Sequence, residues 1–323
     1  MKSINKVYVF CIALILLLSG CQKEESISTS EVIHAYEQAT FTKAQLTYEF
    51  KYSPGLCVAP TDVNLTGVNP VSPLSGSALF DLDGETVLYG QNLFQMVYPA
   101  SITKIMTALV AIENGNLDEM VTITPEALDI PSYSSVCNLQ VGDVISLRDL
   151  LSGMLISSGN DAANAIALHV GGTIENFIQM MNDKAASLMA TSTHYVNAHG
   201  LHDPNHYTTP YDLYLIFNAC LASPDFCQII EQRSYKPTIE NVNSGSREEE
   251  WESTIYYLNG NVEEPQGVHI LGGKTGTTDE AGNCLLVYGT VEDKPYICLV
   301  LGAGDKSLVY ENMNGMFATV PRG

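Results

Sequence analysis

Three stretches of this sequence carry residue types that could together transfer an acyl group. The first is Ser101-Ile102-Thr103-Lys104, at the start of a segment (100–113) whose apolar spacing predicts an amphipathic helix stopped at Asn114-Gly115. At i and i+3 on that helix, Ser101 and Lys104 share one face. A serine hydroxyl is a weak nucleophile at neutral pH, and an unprotonated lysine within hydrogen-bond reach can take its proton if burial has lowered the lysine pKa. The helix N-terminus adds backbone donors that favour developing negative charge. Ser-x-x-Lys alone is common, however, and its ordinary reading is a capping serine beside a solvated lysine.

The second stretch, Ser157-Ser158-Gly159-Asn160-Asp161, falls between two apolar helical runs. A short polar turn there can present a hydroxyl and a carboxamide to a cleft, although Asn160 or Asp161 could equally be the cap of the next helix. The third, Lys274-Thr275-Gly276-Thr277-Thr278, ends a predicted strand. Period-two geometry sends Lys274, Gly276 and Thr278 one way and Thr275 and Thr277 the other unless the strand is bulged, and the glycines allow close approach of backbone or ligand. A phosphate loop is not indicated, because the Gly-x-x-x-x-Gly-Lys spacing is missing.

The elements that must position these residues are short strands at both ends of the chain with helices between. Two apolar runs flank Leu82-Asp83-Gly84-Glu85 and predict a hairpin. Helices are predicted over 147–155, 161–170, 174–187 and 210–222. Late strands are predicted over 271–276, 283–290 and 296–301, the last two joined by Val291-Glu292-Asp293-Lys294-Pro295. The expected class is α/β in the α+β sense: an antiparallel sheet closed by the N- and C-terminal hairpins and flanked by helices, with a helical region inserted.

Composition narrows the functions. The chain has 323 residues, 46% hydrophobic, enough for one large core. Fifteen Lys and Arg stand against 36 Asp and Glu, so a nucleic-acid partner would meet a repelling surface, and an anionic substrate must be met by a few placed cations. Lys2 and Lys6 precede the apolar run 7–18, too short to span a bilayer but suited to a signal peptide. Leu18-Ser19-Gly20-Cys21 then resembles the bacterial lipobox, which implies cleavage before Cys21 and lipidation of its thiol, hence export and attachment to the outer face of a membrane. Residues 1–20 are read as a lipoprotein signal, 21–76 as a polar, Pro- and Gly-rich stalk and wrapping segment with a modest helix over 31–44, and 77–323 as the catalytic domain, with no second C-terminal domain. The other cysteines leave disulfides and buried thiols both open.

Ser101-x-x-Lys104, Ser158-Gly159-Asn160 and Lys274-Thr275-Gly276, in this order, resemble the three motifs of the penicillin-binding proteins and serine β-lactamases. Tyr98-Pro99-Ala100-Ser101 and Asn197-Ala198-His199-Gly200-Leu201 tighten the likeness to the low-molecular-weight D-alanyl-D-alanine carboxypeptidases, across roughly 77–308. The resemblance implies a β-lactamase/transpeptidase-like fold and, without a cofactor or metal, acyl transfer on peptidoglycan stem peptides, with β-lactams as inhibitors. It implies Ser101 as nucleophile, Lys104 as its base, and Ser158 with Lys274 as a proton relay to the leaving D-alanine. Asn160 would hold the substrate amide, the N–H groups of Ser101 and Thr277 the oxyanion, and the hydroxyls of Thr275 and Thr277 the terminal carboxylate, with Lys274 and Gly276 also lining the substrate site. Relatives commonly carry an arginine after the last core strand; here only Lys306 stands nearby, and lysine lacks the bidentate fork.

Three rivals are weaker. A class A-like β-lactamase would need a Glu-x-x-x-Asn element after the second motif, and no convincing copy lies between Asn160 and Gly272. A zinc peptidase is suggested by His194, His199, His202 and His206, but no His-Glu-x-x-His accompanies them, and solvated loop histidines are the plainer reading. A non-catalytic penicillin sensor would acylate and remain acylated, without turning over a D-alanyl-D-alanine peptide.

Overall fold

Residues 294–303 form an almost unbroken apolar run because the strand they make is covered on both faces. In the computed structural model, which describes residues 55–70 and 73–322, Ile297, Leu299 and Leu301 pack into one hydrophobic cluster while Cys298 and Val300 pack into a second on the opposite face. Burial on both sides removes the polar alternate of a half-exposed strand, so the period-two signal is muted.

Along the chain the elements are β1 (Gly76–Asp81) and β2 (Thr86–Gln91), a 3₁₀ turn (Ala100–Thr103) running into α1 (Lys104–Asn114), then β3 (Met120–Thr122) and β4 (Asp143–Ser146). Helices α2 (Leu147–Ile156), α3 (Asn160–Gly171), α4 (Ile174–Ser187), α5 (Pro210–Cys220) and α6 (Pro224–Ile230) follow. After short strands β5 (Ser234–Tyr235), β6 (Thr238–Asn241), β7 (Arg247–Glu248) and β8 (Trp251–Glu252) and the one-turn α7 (Tyr256–Asn259) come β9 (Val268–Thr278), β10 (Gly282–Val291), β11 (Lys294–Ala303) and α8 (Lys306–Ala318).

The main sheet runs β2-β1-β11-β10-β9, its neighbours all antiparallel, so the N-terminal hairpin closes against the C-terminal strands. The inserted helices pack on one face and α8 on the other, where Val309, Met313 and Phe317 complete the second cluster. This is the expected antiparallel sheet with an inserted helical region. Several details differ. The late strands are longer than predicted, because Glu292 (φ +49°) and Asp293 (φ +66°) make a two-residue turn of the kind that matches strand twist, leaving Val291 and Lys294 paired. The helix expected over 210–222 is present and ends slightly early, at Cys220, and a separate helix, α6, capped by Ser223, begins at Pro224. A small sheet, β3-β4-β6-β7, was not predicted, and neither was α8.

Within the segment read as stalk and wrapping, residues 55–70 lie on the domain. Val63 and Gly90 exchange backbone hydrogen bonds of 2.9 and 2.8 Å, the Asp62 carboxylate accepts from the N–H groups of Asn92 and Leu93, and Cys57 is buried. The signal, Cys21 and the helix expected over 31–44 lie outside the described residues. Cys57, Cys137, Cys220, Cys227, Cys284 and Cys298 are free thiols, all but Cys227 buried.

Candidate active site

Ser101 sits in the 3₁₀ turn ahead of α1, one residue after Ala100, whose φ of +48° is left-handed. The turn fits because two neighbours lack a side chain. A Cβ on Gly200 would lie 1.8 Å from the Ala100 carbonyl oxygen, and one on Gly276 would meet Pro99 O and Ser101 N at 3.0 Å. Strand β9 and the loop at Gly200 therefore press directly on the backbone at Ala100 and Ser101.

Lys104, wholly buried, brings Nζ to 2.9 Å from Ser101 Oγ, 2.6 Å from Asn160 Oδ1 and 2.8 Å from the His199 carbonyl oxygen. These contacts suit both protonation states. A cationic Nζ donates to all three; a neutral one donates to Asn160 and His199 and turns its lone pair to the Ser101 hydroxyl. Burial, followed by repulsion from Lys274, holds the Lys104 pKa well below the usual lysine value, so the neutral state is accessible.

Ser158, between α2 and α3, adopts φ +67° and accepts a 3.0 Å hydrogen bond from Lys274 Nζ, which also donates to the Thr275 carbonyl at 3.0 Å. Burial pushes the Lys274 pKa down to about 7. Lys274 and Gly276 turn inward while Thr275 and Thr277 do not; the break in β9–β10 register lies upstream, opposite Tyr288 and Gly289, so the predicted alternation holds through the motif. Neither Asn160 nor Asp161 caps α3: the N-cap is Gly159, without a side-chain cap bond, and the Asp161 carboxylate, inside the first turn, accepts from the backbone N–H of Ala162, Cys137 and Leu139, tying the loop before β4 to the helix.

Two cavities meet at Ser101. One of about 190 Å³ is lined by Ser101, Ser158, Thr275, Thr277 and Lys306; another of about 640 Å³ by Ser101, Asn160, Thr277 and Glu280. Ser101 and Thr277 belong to both, so a carbonyl held between them has room for a chain on either side. Every site residue predicted from sequence between Ser101 and Lys306 thus lies around one cleft, while Cys21 is outside the described residues. Lys306, at the start of α8, is exposed, with Nζ 5.5 Å from the centre of the Tyr256 ring.

Two residues were not foreseen. Thr254 Oγ1 lies 2.6 Å from Thr275 Oγ1 in the smaller cavity. His206, grouped with solvated loop histidines, is 2% exposed and lies against Thr103; its place in a folded-back loop, bridged from His194 to Tyr207, removes it from water. Burial lowers its pKa to about 4 and that of half-buried His199 to about 3. Among the described residues no group of three His, Cys, Asp or Glu could hold a metal ion.

An antiparallel sheet with an inserted helical region, and a buried lysine set on a serine hydroxyl, define the architecture of the serine acyl-transfer enzymes resembled by the sequence. The sequence profile of the D-alanyl-D-alanine carboxypeptidases, peptidase family S11, matches residues 70–305, and the chain belongs to this family. It is 31% identical over 262 residues to D-alanyl-D-alanine carboxypeptidase DacD of Salmonella typhimurium, an alignment covering 78% of this chain and 63% of that protein. The crystal structure of the Streptomyces K15 DD-transpeptidase superposes with a TM-score of 0.70 at 27% identity, covering 80% of this chain and 98% of that one. That of the D-alanyl-D-alanine carboxypeptidase from Mycobacterium tuberculosis H37Rv gives 0.69 at 29% identity, covering 80% and 95%. The chain thus spans less than two thirds of the length of the Salmonella relative.

Proposed function

We propose that this protein is a serine D-alanyl-D-alanine carboxypeptidase that removes the terminal D-alanine of peptidoglycan stem peptides. The observation that carries the reading is Ser101 Oγ held 2.9 Å from the buried amine of Lys104 at the wall between two cavities. Neutral Lys104 takes the hydroxyl proton as Ser101 Oγ bonds to the carbonyl carbon between the two D-alanines. The carbonyl oxygen takes up negative charge beside the N–H groups of Ser101 and Thr277; losing one such donor typically costs about a hundredfold or more in rate. Asn160, already oriented by Lys104, holds the substrate amide. As the C–N bond breaks, the departing amine receives a proton through Ser158, replenished by Lys274, and water then cleaves the ester to free Ser101. Thr275, Gly276 and Thr277 receive the terminal carboxylate, with Lys306 as the nearby cation, and β-lactams acylate the same serine because their strained carbonyl occupies the scissile position.

The protein works outside the cytoplasm, anchored to the membrane through a lipid on Cys21, a reading supported by the charged start, apolar core and Leu-Ser-Gly-Cys sequence. Two acyl chains, at about 0.8 kcal/mol per buried methylene, suffice for stable attachment. The deciding assay is D-alanine release from diacetyl-Lys-D-Ala-D-Ala, expected for the wild type and lost in Ser101→Ala; no release by the wild type would remove the carboxypeptidase reading. Cys21→Ser is expected to leave the membrane fraction, and its retention without detergent would put the anchor elsewhere.

A further inference from the structure

The left-handed Ala100 does not hold itself in place. Its carbonyl oxygen accepts a 2.8 Å hydrogen bond from Thr103 Oγ1, and Gly200 packs against its other side. Thr103, fully buried, in turn lies 2.8 Å from His206 Nε2. The direction of this chain is fixed at its far end, where His206 Nδ1 accepts the N–H of Val196 at 3.2 Å. The ring proton must then be on Nε2 and point at Thr103 Oγ1, which leaves the threonine's own proton only the Ala100 carbonyl. A second ring proton would set a donor against Val196 N–H, and burial keeps the ring neutral, with a pKa near 4. The imidazole also packs in a T-shaped arrangement with the Tyr195 ring, 5.4 Å between centroids at 74°, which restricts its plane.

We propose that His206 is a positioning residue for the nucleophile: acting through Thr103, it holds the Ala100–Ser101 peptide in the left-handed turn that sets Ser101 Oγ against Lys104 Nζ. The relay is short. Thr103 is adjacent to Lys104 and two residues from Ser101, so rotation of its hydroxyl frees the one carbonyl whose orientation fixes the Ser101 N–H. His206 touches neither the substrate cavities nor Lys104 Nζ; its effect is on the acylation step, with little change in the affinity of initial capture. The inference rests on Ser101 being the nucleophile.

The test is stopped-flow acylation by a fluorescent penicillin, resolved into capture affinity and acylation rate, with the label mapped by peptide digestion. Thr103→Val and His206→Phe should each slow acylation about tenfold or more, the scale of one buried hydrogen bond, with capture unchanged. Thr103→Ser and His206→Gln, which keep a hydroxyl and a donor at the position of Nε2, should stay near the wild-type rate. In Thr103→Val/His206→Phe the loss should equal that of Thr103→Val alone, because the histidine acts only through the threonine. A double variant whose losses multiply, or a His206→Phe that acylates like the wild type, would overturn the proposal. If His206→Phe does not fold, equal rates for Thr103→Val and Thr103→Ser would overturn it as well. A wild type that carries no label at Ser101 would instead bring down the proposed function and this inference with it.

Discussion

On the helical side of the cleft, Ser101 follows a left-handed alanine and Ser158 is itself left-handed; on the sheet side, Lys274, Thr275 and Thr277 sit in extended backbone paired residue by residue with β10. A left-handed non-glycine residue costs about 1–2 kcal/mol, so the helical wall carries strain that its surroundings must hold. That support is dense: three acceptors around Lys104 Nζ, the Thr103 hydroxyl on Ala100, and the Asp161 carboxylate on the loop before β4. The sheet wall needs less, because strand alternation alone turns Lys274 inward and Thr275 and Thr277 away from it. The two walls are joined by the Lys274–Ser158 hydrogen bond, while repulsion from Lys274 couples the protonation of Lys104 to the sheet side. Precision on one wall comes from strained backbone clamped by polar contacts, and on the other from regular pairing.

The largest effect should come from the helical wall. Lys104→Ala removes the proposed base and the amine that contacts Asn160, and should slow penicillin acylation by about a hundredfold to ten-thousandfold; a loss under tenfold would assign the base elsewhere. Lys274→Met should be milder in rate and more telling in pH dependence. With its neighbouring cation gone, Lys104 is protonated more easily, so its pKa rises and the acid limb of the acylation rate moves to higher pH. An unmoved limb would mean that burial alone sets the Lys104 pKa. Lys306→Ala should have the smallest effect, a few-fold at most for an exposed cation, and should weaken a free-acid peptide more than its C-terminal amide. Equal losses on both substrates would assign Lys306 to the solvated surface.

The contrast between the walls also explains what could be read from sequence. The three motifs are local, four or five residues each, and the helices and strands that carry them have periodic apolar spacing, so Ser101, Lys104, Ser158, Asn160 and Lys274 could be named without coordinates. His206 could not be placed: four histidines within thirteen residues gave no sign of which would fold inward, and the partner that buries its Nε2 is 103 residues away. Thr254 belongs to no motif and meets Thr275 only when the segment before α7 folds against β9. The small sheet is built from strands of two to four residues, too short to show a period, and α8 contains Asn312, Asn314 and Gly315, which blur its helical signal.

The central claim is that Ser101, activated by Lys104, is the acylated residue. Intact-mass spectrometry after brief penicillin treatment tests it most directly. One drug equivalent should appear, map to Ser101 by peptide digestion, persist because no Glu-x-x-x-Asn element of the class A kind lies between Asn160 and Gly272, and be absent from Ser101→Ala. A label on any other residue would contradict the nucleophile assignment, and rapid turnover of penicillin without an accumulated adduct would contradict the carboxypeptidase account in favour of a β-lactamase.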